Sequence, residues 1–261
     1  MERLMKTSMN LYFNFAIDTK TKLDTIKELG FNEFFTGIYD QKETMNFTEQ
    51  MQYAQKIGLP CTMVHCSYYE PKLNSFWLAG QSGEELTADY IRQIEQCGRY
   101  TKNFVVHLNG SLDSTVSEIG LERLQRLLKA CEPFNLNLCV ENLYSATEIP
   151  YIFAHIKHPL LKICYDSGHK NWLTPNFEIC RQYGQYVSVL HLHENDATAD
   201  QHKKLMVGSS VFNALVDQLK LISCDVVLSS EARGGITLDN WREYLSQDLA
   251  SLRKLSTLVS K

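Results

Sequence analysis

None of the eight cysteines in this 261-residue chain stands in a Cys-x-x-Cys pair, and their wide spacing argues against a disulfide framework. Cys61, Cys66, Cys139 and Cys164 instead fall within or beside apolar runs, where free cysteine behaves as a small buried residue. Lys and Arg form no basic block, and the formal net charge is −4. That balance counts against a dedicated nucleic-acid-binding face. No apolar run approaches the roughly 20 residues of a membrane span, and no signal-peptide pattern opens the chain. The expectation is a reduced, cytoplasmic protein with no membrane partner. The segment Ala16–Lys20 has no glycine, so the Gly-rich phosphate turn of a doubly wound dinucleotide fold is missing. No low-complexity stretch or long linker interrupts the sequence. The 44% hydrophobic and 21% charged residues suit one globular domain with a full core, spanning 1–261.

Within that ordinary composition, short apolar runs repeatedly end in a histidine or a carboxylate. They are Thr62–His65, Phe104–His107, Leu138–Glu141, Lys162–Asp166, Ser188–His191 and Val226–Glu231. Such runs, rich in Val, Ile, Cys and aromatics and bounded by turn residues, read as buried strands. One ligand-type residue at a strand end means little. Six imply that the ends converge, and a parallel barrel gathers the C-terminal ends of its strands on one face.

The order of elements fits that reading. Strands are expected at Leu11–Phe15, Glu33–Ile38, Cys61–Cys66, Phe104–Asn109, Asn137–Asn142, Lys162–Asp166, Val187–His193 and Asp225–Glu231. Helical periodicity lies between them, at 19–29, 48–57, 84–101, 115–131, 147–156, 174–183, 209–222 and 239–258. A longer loop, Ser67–Gly83, precedes the third helix. Eight strand–helix units predict a single α/β domain, a (β/α)8 TIM barrel.

Its C-terminal mouth would carry the chemistry. Glu141 and Glu231 end strands five and eight, and two carboxylates facing each other across a metal can serve as ligands and proton carriers. Asp166-Ser167-Gly168-His169 is a compact Asp-x-x-His, whose glycine would let the chain turn sharply and bring His169 over the same site. His191 and His193, two apart in a strand, share a face, and that face is expected to be inward. Asp200 and His202 follow in the next loop, and His65 and His107 complete the set. Histidine and carboxylate ligands together suit zinc or manganese. Tyr68, Tyr69, Phe76, Trp77 and Trp172 fall in or near the top loops, where Trp77 and Phe76 could cover a substrate face. His155 and His158, in a helical segment, have no assigned role.

These motifs, in this order and over essentially the whole length, resemble the xylose-isomerase-like TIM barrel superfamily, which contains endonuclease IV and the sugar isomerases and epimerases. The resemblance rests on Val-His-Cys-Ser-Tyr68, Val-Val-His107, Val-Glu-Asn142, Asp-Ser-Gly-His169, His-Leu-His-Glu-Asn195, Asp-Gln-His202 and Ser-Glu-Ala-Arg233. In the epimerase branch one divalent metal takes Glu, Asp, His and Glu, which match Glu141, Asp166, His191 and Glu231 in order. The resemblance implies that these two glutamates move the proton and that His169 contacts substrate, a sugar or sugar phosphate. His193, Arg233, Tyr68 and Trp77 are the further candidate substrate contacts. The epimerases usually carry an arginine shortly after the strand-seven Glu-Asn. This chain has Ala197–Asp200 there, which leaves Arg233 as the substitute.

The endonuclease IV branch uses nine ligands for three zinc ions, and His65, His107, Glu141, Asp166, His169, His191, Asp200, His202 and Glu231 match them in type, so that two to three zincs would be expected here on that reading. A zinc phosphodiesterase acting at abasic sites in DNA is therefore the alternative function. Against it stand the acidic charge balance, a short loop after strand seven and the lack of a glycine-rich N-terminal opening. A barrel serving only as a binding protein would be expected to have lost a glutamate, and neither is lost. A homo-oligomer is also compatible with the sequence.

Overall fold

The structure, a computed structural model, describes residues 4–13, 15–38, 43–68, 70–112, 115–223 and 225–260. Its strands are β1 (Thr7–Asn10), β2 (Glu33–Gly37), β3 (Cys61–His65), β4 (Asn103–Val106), β5 (Asn137–Glu141), β6 (Leu161–Asp166), β7 (Val187–His191) and β8 (Leu228–Ser230). They form one 8-stranded sheet in the order β7-β6-β5-β4-β3-β2-β1-β8, parallel at every paired edge. The sheet closes where Leu192 N donates to Ser229 O (2.9 Å) and Glu231 N to Leu192 O (3.1 Å). Helices alternate with the strands: α1 (Thr19–Leu29), α2 (Phe47–Ile57), α3 (Gln81–Cys97), α4 (Glu118–Cys131), α5 (Glu148–His155), the short α6 (Ser167–Trp172) and α7 (Ile179–Tyr183), α8 (Ser210–Leu219) and α9 (Trp241–Val259). The expected (β/α)8 barrel is therefore present. Among the described residues, no helix is long and apolar enough to cross a membrane.

Local sequence sets these elements. The Asp18 carboxylate accepts from Thr21 N at the start of α1, and Gly30, at φ 95°, ends it in the left-handed region. Asn46 and Glu49 form a reciprocal capping box on α2. Burying apolar side chains such as Leu23 and Ile26 of α1 contributes about 2 kcal/mol each.

Two expectations shift. The first strand lies earlier than Leu11–Phe15, and Asn14 of that run falls outside the described residues. Leu11 and Phe13 are buried, but Phe13 leaves the strand to pack on Phe15 (5.8 Å between centroids) and Trp241 (5.9 Å) of α9. The apolar run is thus mostly loop packing, and the strand itself is the more polar Thr7–Asn10. The loop Ser67–Gly83 contains a 3-10 helix, Glu70–Trp77. It buries Phe76 and Trp77, each about 1% exposed or less. Trp77 fills the space above Gly120 of α4, where a Cβ would lie 2.0 Å from its ring, and meets Tyr151 of α5 edge-on at 6.3 Å. Its placement over a substrate is therefore corrected: with Phe76 it belongs to the core. Tyr69 lies outside the described residues.

Behind β8, α9 buries Asp248 completely. Burial pushes its carboxyl up to about 7, against the pull of the Ser230 hydroxyl, Lys204 and the Leu205 amide. The folded chain therefore holds a proton that the unfolded chain releases near pH 4, and stability falls as pH rises between those values. Asp248→Asn should gain on the parent by roughly 2–3 kcal/mol between pH 5 and pH 8. Urea unfolding at both pH values checks this, and a gap that does not change with pH would contradict it.

Candidate metal centre

The barrel axis is filled by one side chain from each of six strands: Phe35, Met63, Val105, Cys139, Cys164 and Val189. Side chains alternate along a strand, so the next inward position is two residues on. That position is His65, His107, Glu141, Asp166 and His191 for β3 to β7. Each of these five strands therefore places its candidate ligand directly above its axial residue, while β2 places Gly37 there. On β8, Glu231 holds the corresponding place just past Ser230.

The ends meet closely. His191 Nδ1 lies 3.2 Å from Glu141 Oε1, 3.4 Å from Glu231 Oε2 and 3.8 Å from Asp166 Oδ2. Ligand atoms of Asp166, His191 and Glu231 all fall within 4.8 Å of one another, as do those of Glu141, Asp166 and His169, and those of His65, Glu141 and His191. His107 Nε2 is 2.9 Å from Glu141 Oε2 and 3.1 Å from His65 Nε2. On the far side, His202 Nε2 lies 2.7 Å and His169 Nε2 3.6 Å from Asp200 Oδ2. All nine residues expected as ligands thus share one site.

Neighbouring groups orient the ligands. Asp166 caps α6 by accepting from His169 N (2.6 Å), which fixes carboxylate and imidazole together. His65 Nδ1 faces the Cys66 carbonyl at 2.8 Å. Phe35 stacks on His191 at 5.4 Å between ring centroids. Such supporting contacts set ring orientation at metal sites.

Burial opposes the charge on Glu141, but the His191 and His107 rings outweigh it and hold the carboxyl well below the usual range. Glu231 is likewise penalised by burial and held low by His191, His202 and Arg233. Asp200 is held low by His169 and His202 against its own desolvation. Burial works against the protonated forms of His65, His169, His191 and His193, yet the contact with Cys66 and then Glu141 raise His65, and the facing carboxylates raise the other three. Only His107 is lowered, by burial. The carboxylates thus favour positive charge at their centre, which a divalent cation supplies more strongly than an imidazolium.

Above the ligands opens a cleft of about 720 Å³. Tyr68, Trp172, Arg233 and His169 line it, with Tyr68 over His107 at 4.6 Å between rings. His193 does not line it. This ring is fully buried behind Asp166, bonded to Oδ2 at 3.1 Å, and stacked on His202 at 4.2 Å. Its role as a substrate contact is corrected to support of the ligands. Gly168 is also reread: it sits within α6, and an added Cβ would lie 1.9 Å from His193 Cε1. Room for that ring, rather than a sharp turn, requires the glycine. His155 and His158 lie outside the site, on Tyr151 O and Glu132.

Sequence reasoning missed Tyr12, Asn10, Asn109, Leu143, Tyr144 and Leu173 in the cleft wall. Most follow the strand ends by one to three residues, a position that could have flagged them. Tyr12 was hidden by the misplaced first strand.

The donor set fits a divalent metal. Carboxylate oxygens and imidazole nitrogens suit zinc or manganese. His169 Nδ1, Asp200 Oδ1 and His202 Nδ1 are buried without a hydrogen-bond partner, a condition protein interiors rarely leave unmet.

Comparison with known proteins agrees with the fold. Residues 23–255 match the family model described as xylose isomerase-like TIM barrel. D-Psicose 3-epimerase from Clostridium cellulolyticum H10, solved with D-tagatose, is 16% identical with a TM-score of 0.73, over 98% of this chain and 100% of that one. The 3-keto-D-glucoside 4-epimerase of E. coli is 17% identical with a TM-score of 0.69, over 96% and 99%. An L-ribulose 3-epimerase is 13% identical with a TM-score of 0.74, over 99% of both chains. No curated protein sequence matches the chain.

Proposed function

Because this chain belongs to the xylose isomerase-like TIM barrel family, we propose that it is a divalent-metal-dependent isomerase or epimerase of a ketose or ketose phosphate. One observation carries the reading. Of Glu141, Asp166, His191 and Glu231, only the two glutamates line the cleft, while Asp166 and His191 are fully buried beneath. The two groups able to touch a substrate are therefore the two able to move a proton. The solved relatives described above are sugar epimerases, which supports the same class.

Glu141, Asp166, His191 and Glu231 would hold the ion. When bound, it supplies Lewis acidity toward the carbonyl and adjacent hydroxyl of a ketose. One glutamate takes the proton from the carbon beside the carbonyl as its bonding pair moves toward oxygen and an enediolate forms. The other glutamate relays a proton from solvent back to carbon. His169 and Arg233 offer N–H groups at the cleft wall to substrate oxygens, and Tyr68, Tyr144 and Trp172 offer ring faces to its C–H surface.

The test is solvent exchange. Protein purified without chelator should incorporate deuterium at the carbon beside the carbonyl of one or more ketoses in deuterium oxide. EDTA should stop the exchange and manganese, cobalt or zinc should restore it. No exchange across a panel of ketoses and their phosphates, with cleavage of abasic-site DNA instead, would overturn the assignment.

A further inference from the structure

The side of the site formed by Asp200 and His202 carries more than the proposed reaction needs. His193, Asp200 and His202 place ligand atoms within 4.8 Å of one another, and His193 Nδ1, Asp200 Oδ1 and His202 Nδ1 are buried without a partner. Taken alone, this trio would accept another divalent ion. A cation already stands beside it. Arg233 NH2 lies 2.7 Å from His202 Nε2, and NH1 lies 3.1 Å from Glu231 Oε1.

We propose that the Arg233 guanidinium, held by His202 and Glu231, is a built-in cation that replaces a further metal ion at Asp200 and His202. This rests on the reading that an ion is held by Glu141, Asp166, His191 and Glu231.

Three features argue for it. The first is occupancy. Arg233 NH2 lies 2.7 Å from His202 Nε2, the same nitrogen that lies 2.7 Å from Asp200 Oδ2, so the guanidinium crowds the side of the ring through which an ion shared with Asp200 would have to bind. The second is placement. Arg233 N donates to His202 O (2.9 Å), and so does Gly234 N (2.7 Å). His202 is held at φ 46° in the left-handed region, where a non-glycine residue needs such support. The guanidinium also lies over the Tyr12 ring at 5.4 Å. Backbone and side chain together keep the positive charge where it is. The third is charge. Glu231 faces the guanidinium at 3.1 Å, and a fixed +1 beside the Asp200–His202 pair repels a second dication while still neutralising carboxylate.

The experiment compares metal content in the parent, Arg233→Ala and Arg233→Lys. Each is stripped, reloaded with zinc or manganese, desalted and measured by elemental analysis and native mass spectrometry. Arg233→Ala should carry about one more divalent ion per chain than the parent, since the vacated donors complete a site of ordinary composition. Arg233→Lys, which keeps the charge, should not. A crystal of the loaded Ala variant should show the extra anomalous peak between Asp200 and His202. Should Arg233→Ala not fold, Arg233→Gln removes the charge at nearly constant length. Equal ion counts in parent and neutral variant overturn the proposal, as does a parent that already binds an ion between Asp200 and His202. A parent that binds no ion overturns both this proposal and the metal-dependent function. Ion counts that change as expected without ketose turnover would uphold the cation role and reject the substrate class alone.

Discussion

Glu231→Gln is expected to lower ketose turnover by about 10³-fold, within the range of general acid–base catalysis, while leaving the fold intact. Glutamine keeps the shape of a side chain that is 12% exposed at the cleft floor, so packing changes little. It removes the charge that faces His191 Nδ1 at 3.4 Å and Arg233 NH1 at 3.1 Å, and with it the ability to take or return a proton. Glu141 is a less clean target. It is about 1% exposed and contacts His65, His107, His169 and His191, so its loss would disturb the whole cluster. Turnover, metal content and circular dichroism of Glu231→Gln separate the cases. Activity within tenfold of the parent would remove Glu231 from the chemistry.

Gly168→Ala is expected to destabilise the protein by about 2 kcal/mol or more, since overpacking a filled site commonly exceeds the gain from alanine in a helix. The added methyl would meet His193 Cε1 at 1.9 Å. That ring cannot swing away, being held by Asp166 at 3.1 Å and stacked on His202 at 4.2 Å. Relief must come from α6, which carries His169 and is capped by Asp166. Metal affinity should therefore fall by roughly 10–100-fold, as it does when supporting contacts are lost. Denaturant midpoints and a competitive metal titration measure both effects. Adding His193→Ala should recover part of the stability. A single variant as stable as the parent would show that the ring is not held as described.

Much of this was legible in the chain because strand parity and ligand chemistry reinforce each other. An inward apolar residue followed two places later by His, Glu or Asp, repeated from β3 to β7, permits few arrangements other than a barrel with a lined mouth. The Asp166–His169 spacing was readable for the same reason: both residues act from one strand-to-helix junction. Less legible were contacts whose partners are remote in sequence. Nothing local to Trp77 says that Gly120 leaves space for its ring. Nothing in His-Leu-His193 distinguishes a ring facing substrate from one facing another ligand. The pairing of Arg233 with His202 depends on two loops meeting, which hydrophobic pattern does not encode. The first strand was misplaced because Leu11 and Phe13 are apolar for the sake of α9 rather than of the sheet.

The closure of the barrel has a consequence for how the molecule holds together. The junction between β7 and β8 rests on two backbone hydrogen bonds around Leu192, next to a β8 of only 3 residues. His191 and Glu231 stand on opposite banks of that junction, 3.4 Å apart. Under the proposed function, a cation shared by them would act as a rivet through the thinnest weld of the cylinder, and parting the weld would also release the cation. Occupancy of the site and integrity of the ring would then be a single linked equilibrium, so stripping the ion should loosen the shell as well as stop its chemistry.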